Sequence, residues 1–303
     1  MPELDLTIIV VVYNMQREAP RTLYSLSRAY QKDIGKINYE VIVVDNGSDK
    51  PFSDSQLSQF GPEFRSYTVA NPTCSPARGI NEAATLAKGG LLGMIIDGAR
   101  ILTPGVLCHA VQASRLYEHP VIYTLGWHLG HKRQQDAINE GYNQSAEDAL
   151  LKKIGWPDDG YRLFEIATQA GNSNNGWLFA PGESNCLFVQ TADFHAIGGY
   201  NQAFDQLGGG LVNHDFYHHA LALPGAVPIA LIGEGSFHQI HGGITTNSNP
   251  AVVAKCLSDY TARYEQIRGK AFARPVFTPL LFGRVPASAA RFLKHSVDLL
   301  CHG

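Results

Sequence analysis

Along the chain, short continuous apolar runs alternate with segments whose apolar residues recur every three or four positions. Residues 6–13 and 39–44 are β-branched runs too short for helices, and they read as strands buried on both faces, as in a parallel sheet. Between them, Pro20 suits a helix's first turn, and Leu23, Leu26 and Tyr30 keep helical spacing until Gly35 interrupts it. The rhythm continues with a weaker strand at 64–69, a helix at 76–88, a strand at 91–96, a helix at 104–117 and a strand at 121–125. Strands and helices in this order predict a layered α/β fold around a mainly parallel, right-handed wound sheet.

From residue 126 to about 181 the rhythm fails. This stretch is rich in Gly, Asn, Gln and Asp, with a helical patch only at 146–154. Trp127, Trp156 and Trp177 are costly to leave in water, so the segment reads as a substrate-facing insertion rather than a linker. A strand at 185–190, a short helix from 191 to Gly198-Gly199, a glycine-rich loop at 200–210, a helix at 213–223 and a last strand at 227–232 follow. Asn249-Pro250 forms an N-cap and first-turn pair for a helix running to about Arg268. A proline-punctuated arm at 274–286 then leads to a final helix at 287–300.

Composition narrows the function classes. The 303 residues are 45% hydrophobic, enough for a sizeable core. Lys plus Arg number 24 against 27 Asp plus Glu, without a basic stripe, so nucleic acid is not the expected partner. Five scattered cysteines, never spaced C-x-x-C, propose neither a disulfide framework nor a zinc site and fit a reducing cytosol. No apolar run approaches the ~18 residues of a membrane span, and the amino terminus lacks a leader pattern, so a cytoplasmic protein is expected.

The chemistry gathers at predicted strand ends, where open α/β sheets bind ligands. Asp97 follows the apolar run 91–96 and precedes Gly98; it faces the crevice there, unless it merely shapes an Asp-Gly turn. Four stretches together settle the choice for function: Val12-Tyr13-Asn14; residues 43–49, with Asp45-Asn46-Gly47-Ser48-Asp49; residues 75–81, with Arg78, followed by Ala87-Lys88-Gly89-Gly90; and Ile96-Asp97-Gly98-Ala99 to Pro104. In order and spacing the chain resembles a family 2 glycosyltransferase, an inverting enzyme of the GT-A fold, over roughly residues 6–241.

The resemblance implies a nucleotide-diphosphate sugar donor and a saccharide or other hydroxyl acceptor. It implies a domain over 1–248, with a nucleotide-binding half at 1–125 and an acceptor-binding half at 126–248, and a C-terminal helical extension at 249–303. It assigns the nucleotide to Val12, Tyr13, Asn14, Asp45, Arg78 and Asp97. A carboxylate such as Asp45 accepts from a nucleobase N–H, and Arg78 is either a diphosphate partner or a solvated helix-face cation. Relatives carry two acids spaced D-x-D to hold Mg²⁺ or Mn²⁺, but here the second position is Ala99. Asp97 is therefore expected to share the ion with one of His238 and His241, the alternative being histidines that serve loop carbonyls.

In relatives the catalytic base is an Asp in a Glu-Asp pair after a Gly-Gly-Tyr loop. That pair is not intact here: by register its Asp falls on Asn213 or Asp215. Asn is not a base, so Asp215 is the expected base, with His214 in reserve, unless Asp215 only caps its helix. The final helix places Ala289, Phe292, Leu293, Val297 and Leu300 on one side, suited to packing on its own domain, dimerisation or peripheral membrane contact. Two rival readings are a degenerate nucleotide-sugar binding protein without catalysis and a sugar-1-phosphate nucleotidyltransferase. The second lacks its phosphate loop after the first strand, where Asn14-Met15-Gln16-Arg17 stands.

Overall fold

The first strand sets the sheet. In a computed structural model that describes residues 2–243 and 250–302, β1 (Leu4–Val12) is buried from Leu6 onward and pairs in parallel with β2 (Tyr39–Asp45) on one side and β4 (Gly89–Ile95) on the other. Beyond β2 lies β3 (Phe64–Thr68), also parallel. The connections are α1 (Ala19–Ser25), α2 (Asp54–Leu57) and α3 (Ala77–Ala84). Side chains of β1 alternate between two cores, as the period of a strand requires. Ile9 and Val11 join Ile80 and Ala83 of α3 on one face. Ile8 and Val10 join Leu23 of α1 and, from α4 (Val106–Ser114), Leu107 and Val111 on the other.

The second half extends the same sheet. It contributes β5 (Arg100–Leu102), β6 (His119–Leu129), β7 (Ala167–Gln169), β8 (Cys186–Gln190), β9 (Ala226–His238) and β10 (Leu280–Gly283). Its helices are α5 (Gln134–Ala137), α6 (Gln144–Lys153), α7 (Thr191–Ile197), α8 (Val212–Leu221), α9 (Pro250–Arg268) and α10 (Ala290–His302). The strand order is β10-β9-β6-β8-β4-β1-β2-β3, with β5 on β9 and β7 on β6, ten strands in all among the described residues. Only β5, β7 and β8 run antiparallel to their neighbours. The α/β GT-A expectation of a mainly parallel central sheet is met.

Several expectations change. α1 stops at Ser25 rather than near Gly35, because the Ser25 and Ser27 hydroxyls each bond the carbonyl three residues back and Ser25 Oγ also accepts from the Leu102 amide. The strand expected at 227–232 runs on to His238. The proline-punctuated arm is not strandless: β10 pairs in parallel with β9, so the C-terminal extension is part of the sheet. Trp127 and Trp177 are wholly buried and pack on each other in the core, 5.4 Å between ring centroids, instead of facing a substrate. Asn249, the expected cap, lies outside the described residues.

Candidate functional site

At their carboxyl ends, β1, β2 and β4 are tied into one rim. The Asn46 amide bonds the Val12 carbonyl at 3.0 Å and the Gly98 amide bonds the Val11 carbonyl at 2.8 Å. Asn14 adopts a left-handed conformation, φ 51°, and braces the first loop to the second: its amide donates to Ser48 Oγ, and its side chain both donates to Asp49 Oδ2 and accepts from the Asp49 amide. Val12 is buried, whereas the Tyr13 ring is 57% exposed beside it. Asp45 spends Oδ1 on the Gly47 and Ser48 amides; its buried Oδ2 finds no partner among the described residues. Arg78, in the first turn of α3, donates to the Asn71 carbonyl.

A second set of side chains is assembled by β5, which the sequence pattern did not reveal. After Asp97 the chain turns through Gly98 and Ala99 and lies antiparallel against the end of β9, with Arg100 opposite His238 and the Gln239 amide on the Ala99 carbonyl. That pairing brings three groups together: His238 Nε2 lies 3.0 Å and His241 Nε2 3.5 Å from Asp97 Oδ2, and the two Nε2 atoms are 2.9 Å apart. Both histidines therefore reach Asp97, where one was expected.

The tautomer of His238 is fixed by its other nitrogen. Nδ1 donates to Gln134 Oε1 at 2.5 Å, and the Gln134 amide nitrogen donates to the His238 carbonyl, which settles the orientation of both groups. Nε2 then carries a lone pair, and it faces a carboxylate oxygen. Burial pushes His238 down to about 4, against the pull of Asp97, so the ring stays neutral. Burial also lowers His241, but Asp97 outweighs it and the net shift is upward. Burial raises the Asp97 carboxyl, yet the His241 imidazole beside it outweighs this and the net shift is well below the usual carboxylate range.

Chemically, the trio converges Asp97 Oδ2 and the Nε2 atoms of His238 and His241 on one point. A cation at that point satisfies them all. Two neighbouring ligands at right angles on an ion with ~2.1 Å bonds lie about 3.0 Å apart, close to the separations here, so the donor set fits a divalent ion. Asp97, His238 and His241 are a group of metal-capable side chains found together among the described residues. Arg100, a residue the sequence reading passed over, adds a buried guanidinium with Nε 3.7 Å from Asp97 Oδ2. Part of the insertion does reach this region: a cavity of about 400 Å³ beside His241 is lined by Tyr142, Gln144 and Ile240.

The expected base sits in an ion pair. Asp215 is 2% exposed, and both of its oxygens are held at 2.6 Å by the Arg268 guanidinium from α9. Buried and paired with a guanidinium that offsets its negative charge, this carboxylate is a poor proton acceptor. His214 places Nδ1 3.2 Å from Glu183 Oε2, and Asn213, the alternative register position, donates to that same oxygen at 2.8 Å. Glu183 lies between the irregular stretch that ends near 181 and the strand expected at 185–190, where nothing in the sequence singled it out.

A family model described as Glycosyl transferase family 2 matches residues 7–163, more than half of the chain. The chain belongs to this family. The fold agrees: the glycosyltransferase is similar to S. aureus TarS, residues 1–349, with TM-score 0.50 and 14% identity, covering 88% of this chain and 73% of that one. The structure of TarS 1–349 in complex with UDP-GlcNAc is matched at TM-score 0.50 and 13% identity, over 87% of this chain and 73% of that one. Against the longer TarS structure the match covers 44% of that chain. No curated protein sequence matches the glycosyltransferase.

Proposed function

We propose that the protein moves a sugar from a nucleoside-diphosphate sugar to a hydroxyl acceptor, with inversion at the anomeric carbon and with a divalent ion held by Asp97, His238 and His241. The observation that carries this reading is the convergence of those three side chains at the end of β4, beside the rim of β1 and β2. TarS, bound to UDP-GlcNAc on the same fold, supports the donor class.

In this reading the exposed Tyr13 ring stacks against the nucleobase, and the unpartnered Asp45 Oδ2 accepts its N–H. Val12 and Asn14 act through the backbone and the brace that holds the two loops in register. Arg100 and, from the start of α3, Arg78 supply fixed positive charge for the diphosphate. A bound ion supplies further stabilisation of the charge that develops on the departing diphosphate. With Ala99 in place of an acid, the two imidazoles make up the missing ligand, and nitrogen donors favour Mn²⁺ over Mg²⁺.

Calorimetric titration with UDP, GDP and dTDP, each with and without Mn²⁺, tests the donor site. Binding of one nucleotide that tightens with Mn²⁺ and is lost in Asp97→Ala is the expected result. Binding indifferent to both would remove the ion from the mechanism. Metal-dependent binding with no transfer to any acceptor would favour the non-catalytic reading, which the closed Asp215 otherwise invites.

A further inference from the structure

The acceptor side needs a group that takes a proton, and four acids of the second half can be compared. Asp215 is closed by Arg268. Glu234 is fully buried and bonded to Thr103 and Tyr161. Asp193 is held by His119 at 2.8 Å. Glu183 differs from all three. It stands just before β8, which runs antiparallel to β4 with Cys186 opposite Ile95, so the chain at 183 and the chain at Asp97 lie at the same end of these strands. Its side chain is 13% exposed.

The hydrogen bonds to Glu183 come from amides, with His214 Nδ1 also 3.2 Å from Oε2. Asn172 Nδ2 donates to Oε1 at 2.6 Å and Asn213 Nδ2 to Oε2 at 2.8 Å. Asn213 is locked in that orientation, because its second N–H goes to the Ser184 carbonyl and its Oδ1 accepts from the Tyr200 hydroxyl. Neutral amide donors orient a carboxylate without cancelling its charge, and Oε1, with a single hydrogen bond, keeps a lone pair. An acid at 213 would set two carboxylates in contact, and they would have to share a proton. Asparagine there avoids this conflict and turns the position into a donor for the acid at 183.

We infer that Glu183 is the catalytic base of the transfer, with Asn213, Asn172 and His214 as its positioning residues. The inference rests on the transfer reading above. In the step, a Glu183 oxygen takes the proton of the acceptor hydroxyl while the acceptor oxygen forms its bond to the anomeric carbon. The bond from that carbon to the β-phosphate oxygen breaks, its electron pair leaves with the nucleoside diphosphate, and the configuration inverts.

The test measures nucleotide release and sugar transfer with UDP-GlcNAc, UDP-glucose and GDP-mannose, Mn²⁺ and an oligosaccharide acceptor array. Glu183→Gln is expected to lose 10²-fold or more in kcat, roughly the contribution of a positioned base, while the affinity for the nucleotide with Mn²⁺ stays within about twofold. Asn213→Asp is expected to move the acidic limb of the pH profile to higher pH, because two carboxylates then compete for one proton. Transfer that survives in Glu183→Gln with an unaltered pH profile overturns the assignment alone. Absence of transfer by the unaltered chain under all these conditions overturns both the assignment and the transfer reading.

Discussion

An imidazole binds an ion through one nitrogen only when the proton sits on the other, and in His238 a single glutamine decides this. Gln134 fixes Nδ1–H and so directs the Nε2 lone pair at Asp97 and His241. Gln134→Leu is therefore expected to weaken Mn²⁺ binding by roughly 10- to 100-fold while leaving the fold intact, measured by titration of the Mn²⁺ electron paramagnetic resonance signal. Unchanged affinity would show that the ring needs no such support. At this scale the sequence was readable where a motif had fixed spacing: Asp45, Asp97, His238 and His241 all lie on the rim or in the trio. It was unreadable where a residue acts through a contact distant in the chain, as Gln134, Arg100 and Glu183 do. Asp215 shows the converse, since a residue type suited to the chemistry is taken up by Arg268, more than fifty positions away.

Among the elements, the turn between β4 and β5 is the narrowest fit. A Cβ on Gly98 would lie 2.6 Å from a Val12 methyl and 2.9 Å from the Val11 carbonyl oxygen, the same oxygen that accepts from the Gly98 amide. The backbone has no room to yield. Gly98→Ala is expected to cost about 1–3 kcal/mol, read from the midpoint of urea unfolding, and to displace Asp97 enough to weaken nucleotide binding. An unchanged midpoint would mean that the rim relaxes freely. The glycines of β9 explain why its full length escaped the sequence reading. The β6–β9 register shifts between Tyr123 and Leu125, Gly233 takes φ 80° there, and Gly235 leaves space for the Trp127 ring. Residues that resemble a loop in composition thus carry a strand through a bulge to His238.

Over the whole molecule, the C-terminal extension and the insertion share one aromatic core. Phe292 of α10 packs on Trp127 and Phe164, with ring centroids 5.7 and 5.9 Å apart, and Trp177 and Phe237 complete the group. Phe292→Ala is expected to destabilise the chain by about 3 kcal/mol in urea unfolding, with a single transition if insertion and extension unfold together. Two transitions would show the extension to be a separate unit. The amphipathic pattern of α10 is spent partly on this core: Phe292 and Ser296 turn inward, and Val297 and Leu300 remain exposed. Among the described residues no helix is long and apolar enough to cross a membrane.

β9 also sets an order of events during synthesis. Its inner neighbour, β6, and the short β5 leave the ribosome before it, but its outer neighbour, β10, comes from residues 280–283. Until those residues emerge, β9 has a bare outer edge at residues 229–232, with unpaired amides and carbonyls open to another chain. The nascent glycosyltransferase is most vulnerable to misassembly in that interval, after its last proposed ion ligand has been made and before the strand bearing it is covered.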